Sequence, residues 1–294
     1  MKKGGCMKSR SDTLSGWLFL APFLVVYLIF LIYPVFQAAY MSLFDWDLLA
    51  MWNRSMVGFR NYVEMFTSDR VFWVSLGNTL KFVVYSTPLI IFIGLLLAVL
   101  INHQGSGFFR ALFFSPYIFS VAVVTLMWGF LLNPQQGLIA VFLGWFGVEP
   151  IAWLTNPKLA LPAIVVTTLW WTMGFNMVLF LAGLQDISPS LYEAASIDGT
   201  NSIQKFFHIT IPGLRRTMLL VAVLQVIASF QIFGQVYIMT RGGPAGTTRV
   251  LIQYIYESGF RDYRLGYASA MSVLLFLLMF IVSYFQFKLS PEED

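Results

Sequence analysis

Long uncharged runs dominate this chain. Stretches free of Asp, Glu, Lys and Arg lie between Asp12 and Asp45, Lys81 and Arg110, Arg110 and Glu149, Lys158 and Asp186, Arg216 and Arg241, and Arg264 and Lys288; they hold 32, 28, 38, 27, 24 and 23 residues. A helix needs about 20 mostly apolar residues to cross about 30 Å of hydrocarbon, so each run is long enough for one span. Only the third has the length for two. Asn133-Pro134-Gln135-Gln136-Gly137 interrupts it, and the remainder, Leu138 to Val148, is too short to cross. That remainder predicts an interfacial helix with Trp145 and Phe146 at headgroup level. The expected spans are 14–41, 75–102, 110–132, 159–185, 217–240 and 265–288. Barrel strands would alternate apolar and polar positions over about ten residues, whereas Pro88 to Leu100 is continuously apolar apart from Gly94. The fold class is therefore all-α, a polytopic membrane protein with six transmembrane helices.

Composition agrees. The 294 residues are 58% hydrophobic, 17% aromatic and 11% charged, with one cysteine, against about 25% charged in soluble domains. With a mean hydropathy of +0.74, this excludes an ordinary soluble protein, a disordered chain and a disulfide-stapled module. Lys2, Lys3, Lys8 and Arg10 flank the first span and predict a cytoplasmic N-terminus. Six spans return the C-terminus to the same side, making 1–13 and 289–294 cytoplasmic tails. The total count in that orientation, nine basic residues inside and eight outside, adds little. The first apolar run is too long for a signal peptide and no A-x-A-like site ends it. Cys6 has no apolar run before it and reads as a reduced thiol.

Charge placement narrows the chemistry. All 14 acidic residues, with His103 and His208, fall in the predicted loops and tails. Proton-coupled carriers usually bind their ion on an intramembrane carboxylate or histidine, so a proton-driven carrier and an acid–base membrane enzyme are both disfavoured, while sodium coupling through backbone carbonyls stays open. Lys81 reads as a lysine snorkelling from near a helix end, with a solute role as the alternative. No GxxxxGK[ST] phosphate loop occurs, so any ATP hydrolysis belongs to a partner.

The connection 186–216 is too long for a simple link and is rich in helix punctuation. Ser188-Pro189 supplies an N-cap and a proline at the first helical position, and Ser190 to Glu193 also fits a capping box. The helix should stop at Gly199, and a second should run to Ile209 before Pro212 breaks it. Two short helices joined by a glycine turn make a knob suited to a partner's groove, with Glu193 offered to an arginine opposite.

Glu193-Ala194-Ala195, Gly199, Ile209, Ile211 and Pro212 together resemble the EAA loop of ABC importer permeases, E-A-A-x3-G-x9-I-x-L-P. The one departure is Ile211 in place of leucine. Pro22-Phe23, Asn78-Thr79-Leu80, Gly183-Leu184-Gln185, Gly242-Gly243-Pro244 and Gly266 to Ala270 extend the resemblance to the carbohydrate-uptake, maltose-type branch, in its six-span form. The resemblance implies a type I importer of the bacterial or archaeal cytoplasmic membrane, in which this subunit pairs with a second homologous permease and two cytoplasmic ATPases, and an extracytoplasmic binding protein delivers the solute. It implies that 193–199 couples to an ATPase, that the permeases alternate between inward-open and outward-open states, and that ATP and Mg lie on the partner. No catalytic residue, cofactor, metal or nucleic acid is expected on this chain.

Solute contacts are sought among polar side chains within spans. At about 100° per residue, Gln225 and Ser229 share one face of span five, and Gln231 and Gln235 another. The resemblance places Gln225, Ser229 and Ile232, with Gly174 and Met177 in span four, on solute-contacting positions; Asn176 joins them as a local polar candidate. The bland alternative for the polar residues is hydrogen bonding between helices. Trp170 and Trp171 read as packing or interface residues, with sugar stacking as the alternative. Val250 to Tyr256 predicts a short outer helix facing either the interface or the binding protein. The expected solute is a carbohydrate, an oligosaccharide first; a polyol or glycerol phosphate is the alternative within transport, and a polytopic enzyme or scaffold the alternative outside it.

Overall fold

A computed structural model describes residues 10–50, 52, 54–102 and 107–288. Lys2, Lys3, Cys6, Lys8, His103 and the tail 289–294 lie outside the described residues, so the readings placed on them stand only as sequence expectations. The chain forms α1 (Arg10–Tyr27) and α2 (Tyr33–Met41) on either side of a π turn, a two-stranded ribbon of β1 (Phe44–Asp45) and β2 (Ser55–Met56), then α3 (Arg60–Thr67) and α4 (Arg70–Asn102). Next come α5 (Gly107–Ile118), α6 (Val121–Leu131), the short α7 (Leu138–Gly144) and α8 (Ala160–Gln185). The 186–216 segment holds α9 (Pro189–Ile197), α10 (Ser202–Lys205) and α11 (Ile211–Gly213); α12 (Arg215–Phe230), α13 (Gly234–Met239), α14 (Leu251–Tyr256) and α15 (Leu265–Lys288) complete the chain.

Small residues decide which helices meet, because apolar side chains gain little by leaving lipid for one another and close backbone approach takes over. The central pair is α4 and α8, with α5 and α12 packed around it and α15 beyond α12. A Cβ on Gly94 of α4 would fall 2.8 Å from the Cβ of Asn176 on α8, so only glycine permits that crossing. The first span meets the bundle through its second half, where α2 packs on α15. Its helical residues Trp17–Met41 are apolar on all sides and none of its hydropathic window is buried.

Two spans are not straight. The run expected as one helix over 110–132 is α5 and α6, bent by 95° at Phe119-Ser120. Pro116 has no N–H for the carbonyl of Leu112, which instead accepts the Ser115 hydroxyl at 2.9 Å. Ser120 then takes an extended conformation and caps α6. Span five also breaks, between Phe230 and Gly234, so 217–240 is α12 followed by α13. The second halves of the broken spans pack together: a Cβ on Gly234 would sit 3.0 Å from Val121.

Span two starts earlier than 75. Asp69 accepts the backbone N–H groups of Val71 and Phe72 and so caps α4, which leaves Lys81 inside the helix on an exposed face. Asp69 also ties down the end of the bundle where α4 begins, since the hydroxyls of Tyr254 and Tyr267 both donate to its Oδ2. Burial alone would raise the Asp69 pKa, but the four hydrogen bonds outweigh it and hold the carboxyl below the ordinary aspartate range. Burial, then Asp69 itself, pushes the Tyr254 phenol above its ordinary value, so it remains a donor. A carboxyl depressed in the folded state contributes stability above its unfolded pKa of about 3.9 and loses it as pH falls through the lower folded value. Asp69→Ala strands two tyrosine hydroxyls at a cost of about 1–3 kcal/mol. Thermal melts of the solubilised complex should show that loss near neutral pH, and a gap from the unsubstituted protein that narrows toward strong acid. Equal melts at all pH values would refute the clamp.

Candidate functional site

The two breaks open a pocket. A cavity of about 220 Å³ lies between α4, α5, α8, α12 and α13, lined by Phe82, Tyr117, Trp171, Phe175, Asn176 and Gln225 among others, with Ser229, Ile232 and Gln235 on the span-five side. Tyr117, at the end of α5, stacks on Phe175 with centroids 4.9 Å apart and approaches Trp171 at 6.3 Å. The Trp171 indole N–H donates to the Phe119 carbonyl at 3.1 Å and satisfies one acceptor freed by the break. The aromatic wall and the bend therefore hold each other in place.

A polar chain crosses the pocket. Asn176 Nδ2 donates to Gln225 Oε1 at 3.2 Å, and Gln225 Nε2 donates to Ser229 Oγ at 3.2 Å. Ser229 Oγ also lies 3.1 Å from the hydroxyls of Ser86 and Thr87 on α4. The chain thus links α8 to α12 through Gln225 and α12 to α4 through Ser229, and Ser86 and Thr87 had no sequence signal beyond being hydroxyls in an apolar run.

Four of the six expected solute-path residues, Asn176, Gln225, Ser229 and Ile232, line this pocket. Gly174 and Met177 do not. Gly174 faces the backbone of Phe113 and Phe114, and Met177 is wholly buried among Ala98, Phe180 and Leu181. Gln235, assigned by helical period to a different face from Gln225, lines the same pocket because the break resets the phase. Gln231 is exposed. Trp171 is both packing partner and pocket wall.

The 186–216 knob forms at the other end of the bundle. Helix α9 closes in a Schellman motif: Gly199 takes φ +74°, its N–H bonds Ser196 O, and Thr200 N–H bonds Ala195 O. The capping box expected over Ser190 to Glu193 is absent. Ser190 pairs with Ser188 through their hydroxyls, and the box forms instead at Asn201 and Gln204, capping α10. Pro212 does not end the second helix. A π turn over Phe206–Thr210 carries the Ile211 N–H back to Phe206 O, so the helix passes its proline by widening; the same device at Leu28–Ile32 precedes Pro34.

Tyr192 pairs with Thr210 at 2.9 Å and Lys205 donates to Ser196 at 2.6 Å, locking α9 to α10 and to the π turn after it. Ile209 packs on the bundle, Ala195 and Ile211 are half-buried, and Glu193, Ala194 and Pro212 are exposed. Leu191, Ile197, Ile203 and Phe207 are exposed beside them, Ile197 at 87%. That is an apolar surface with a carboxylate in it, projecting from the bundle.

A bundle of membrane spans with a polar pocket at its broken helices and a projecting two-helix knob defines a multi-pass transport permease. The chain belongs to the binding-protein-dependent transport system inner membrane component family, whose profile its residues 76–292 match. It is 34% identical to the lactose transport system permease protein of Rhizobium radiobacter, over 97% of this chain and 96% of that one. It is 35% identical to the trehalose/maltose transport system permease protein of Thermococcus litoralis, over 90% and 89%. The fold matches a solved chain of a bacterial ABC transporter involved in import of the acidic polysaccharide alginate, with a TM-score of 0.83 and 24% identity over 95% of this chain and 97% of that one. The homologues are ABC transporter permeases, which are transport components and not catalysts.

Proposed function

We propose that this chain is one of two permease subunits of an ATP-driven importer for a neutral carbohydrate, moved by alternating access through the pocket at the helix breaks. The observation that carries this reading is the pocket lining: amides, hydroxyls and an aromatic wall, with no charged side chain among the described lining residues. Hydroxyl-rich solutes need donors and acceptors together, and ring faces suit their C–H surfaces; a phosphate ester or uronate would need cations, and Lys81 is not in the lining. The lactose and trehalose/maltose names of the relatives support the same class. A volume of about 220 Å³ is below the roughly 300 Å³ lower end of ligand pockets, so this chain receives about one ring of an oligosaccharide and the second permease receives the rest.

In this reading the knob docks on one of two cytoplasmic ATPases, which hold ATP and Mg. Glu193 meets a cation and the exposed apolar residues fill the groove. Both termini lie on the cytoplasmic side and an extracytoplasmic binding protein delivers the solute. The test is ATP hydrolysis by the complex in liposomes, with binding protein loaded from glucose, lactose, maltose, raffinose, a polyol, glycerol phosphate and an oligouronate. A neutral sugar should stimulate most. Stimulation by the phosphate or uronate alone would overturn the solute class.

A further inference from the structure

We infer that Gln235 and Tyr117, with the Asn176 carbonyl oxygen, read the solute's hydroxyls, and that Ser229 does not, because its hydroxyl is already fully committed to tying α12 to α4. The inference rests on the pocket being the solute site. A serine hydroxyl has one proton to give and two lone pairs to receive. At Ser229, Thr87 Oγ1 and Gln225 Nε2 each donate, filling both lone pairs, and the remaining proton is directed to Ser86 Oγ at 3.1 Å. Ser229 is 2% exposed. A solute hydroxyl can bond it only by displacing one of these partners and stranding a buried group.

The rest of the lining sorts by the same count. Trp171 has spent its only N–H on Phe119, and both Asn176 N–H groups are used, on Thr172 O and Gln225 Oε1. Thr168 and Thr172 donate to carbonyls within their own helix. Thr168 and Thr172 keep acceptor lone pairs only, so unspent donor and acceptor capacity together lies at Gln235 and Tyr117, with a further acceptor on Asn176. Gln235 is 9% exposed as a residue and its amide lines the cavity with no hydrogen-bond partner among the described residues, the Tyr117 hydroxyl has none either, and Asn176 Oδ1 remains an open acceptor. Gln225 keeps one N–H, held in direction by its other two bonds. A cavity-facing amide with all its capacity unspent, in the same lining as an unpaired phenol on an aromatic wall, is an arrangement for orienting a sugar ring: the ring stacks, and the amide and phenol tell one hydroxyl pattern from another.

The test compares Gln235→Leu, Tyr117→Phe, Ser229→Ala and Thr87→Val in the reconstituted complex. The probes are the most stimulating sugar of the panel above and its monodeoxy analogues, with melting temperature measured in parallel. Gln235→Leu and Tyr117→Phe should each lower transport of the parent sugar by about 2- to 10-fold, the span of one neutral hydrogen bond. They should also flatten the ranking of the deoxy analogues while leaving the melt unchanged. Ser229→Ala and Thr87→Val should lower the melt and leave the ranking intact. A ranking changed by Ser229→Ala and untouched by Gln235→Leu overturns the assignment. If none of the four alters transport of any sugar, the pocket itself is not the solute site.

Discussion

Gly174→Val should prevent the complex from assembling in stable form, although the resemblance places Gly174 among solute contacts. Any Cβ at this position would be driven into the carbonyl of Phe113 and the Cα of Phe114. These are backbone atoms of α5 and cannot rotate aside, so α5 must move away from α8. Overpacking of this kind costs about 1–3 kcal/mol where side chains can yield, and more where backbone must shift. The consequence reaches the pocket, since α5 carries Tyr117 and ends at the bend that Trp171 holds. We expect a steep fall in the yield of intact complex and a lowered melting temperature for valine, with alanine intermediate. Met177→Ala, which opens a void in a fully buried cluster, should destabilise by about 2–5 kcal/mol without altering which sugar is carried. A valine variant that assembles and melts like the unsubstituted protein but changes sugar preference would return Gly174 to the solute path.

Much of the fold was legible because membrane helices advertise themselves by length without charge. Leu265–Lys288 coincides with the run between Arg264 and Lys288, and Ala160–Gln185 begins one residue after its expected start. Hydropathy counts apolar length and is blind to where the backbone hydrogen bonds run, which is why 110–132 read as one helix. Ser115-Pro116 and Ser120, a proline with a compensating hydroxyl and an N-cap four residues on, were the available signal for that bend. The Gln235 error has the same root. A period of 3.6 residues carries phase only through unbroken helix, and the span breaks at Gln231. The reverse holds at Pro212, where a proline expected to stop a helix is absorbed by a π turn, a choice made by the packing of Ile209 and Leu214 on the bundle. Asn78 was noticed only as part of a familiar triplet. Its amide donates to the carbonyls of Gly246 and Arg249 and fastens the loop after α13 to α4, a contact between residues 168 and 171 apart that no local pattern could announce.

The coupling assignment yields the sharpest expected loss. Gly199→Pro should eliminate solute-stimulated ATP hydrolysis in the reconstituted complex while the spans stay folded. Gly199 sits at φ +74°, and proline is confined near about −65°, so the turn that ends α9 cannot form. The substitution also removes the N–H that bonds Ser196 O. With that turn lost, α9 is no longer held by Lys205 of α10 and Thr210 of the π turn, and the exposed face of Leu191, Glu193 and Ile197 loses its orientation. Alanine separates strain from shape: open space surrounds Gly199, so a methyl clashes with nothing and costs only the left-handed backbone penalty of about 1–2 kcal/mol. Gly199→Ala should therefore retain partial coupling. Glu193→Ala leaves the knob's internal bonds untouched and removes only the charge that the proposed coupling offers to the ATPase, so it should weaken stimulation without changing the stability of the permease. The order expected is proline far below alanine at 199, with Glu193→Ala reduced at unaltered melting temperature. Stimulated hydrolysis at full rate in the proline variant, in a complex shown to be intact, would mean that the force from the ATPases enters this chain somewhere other than the knob.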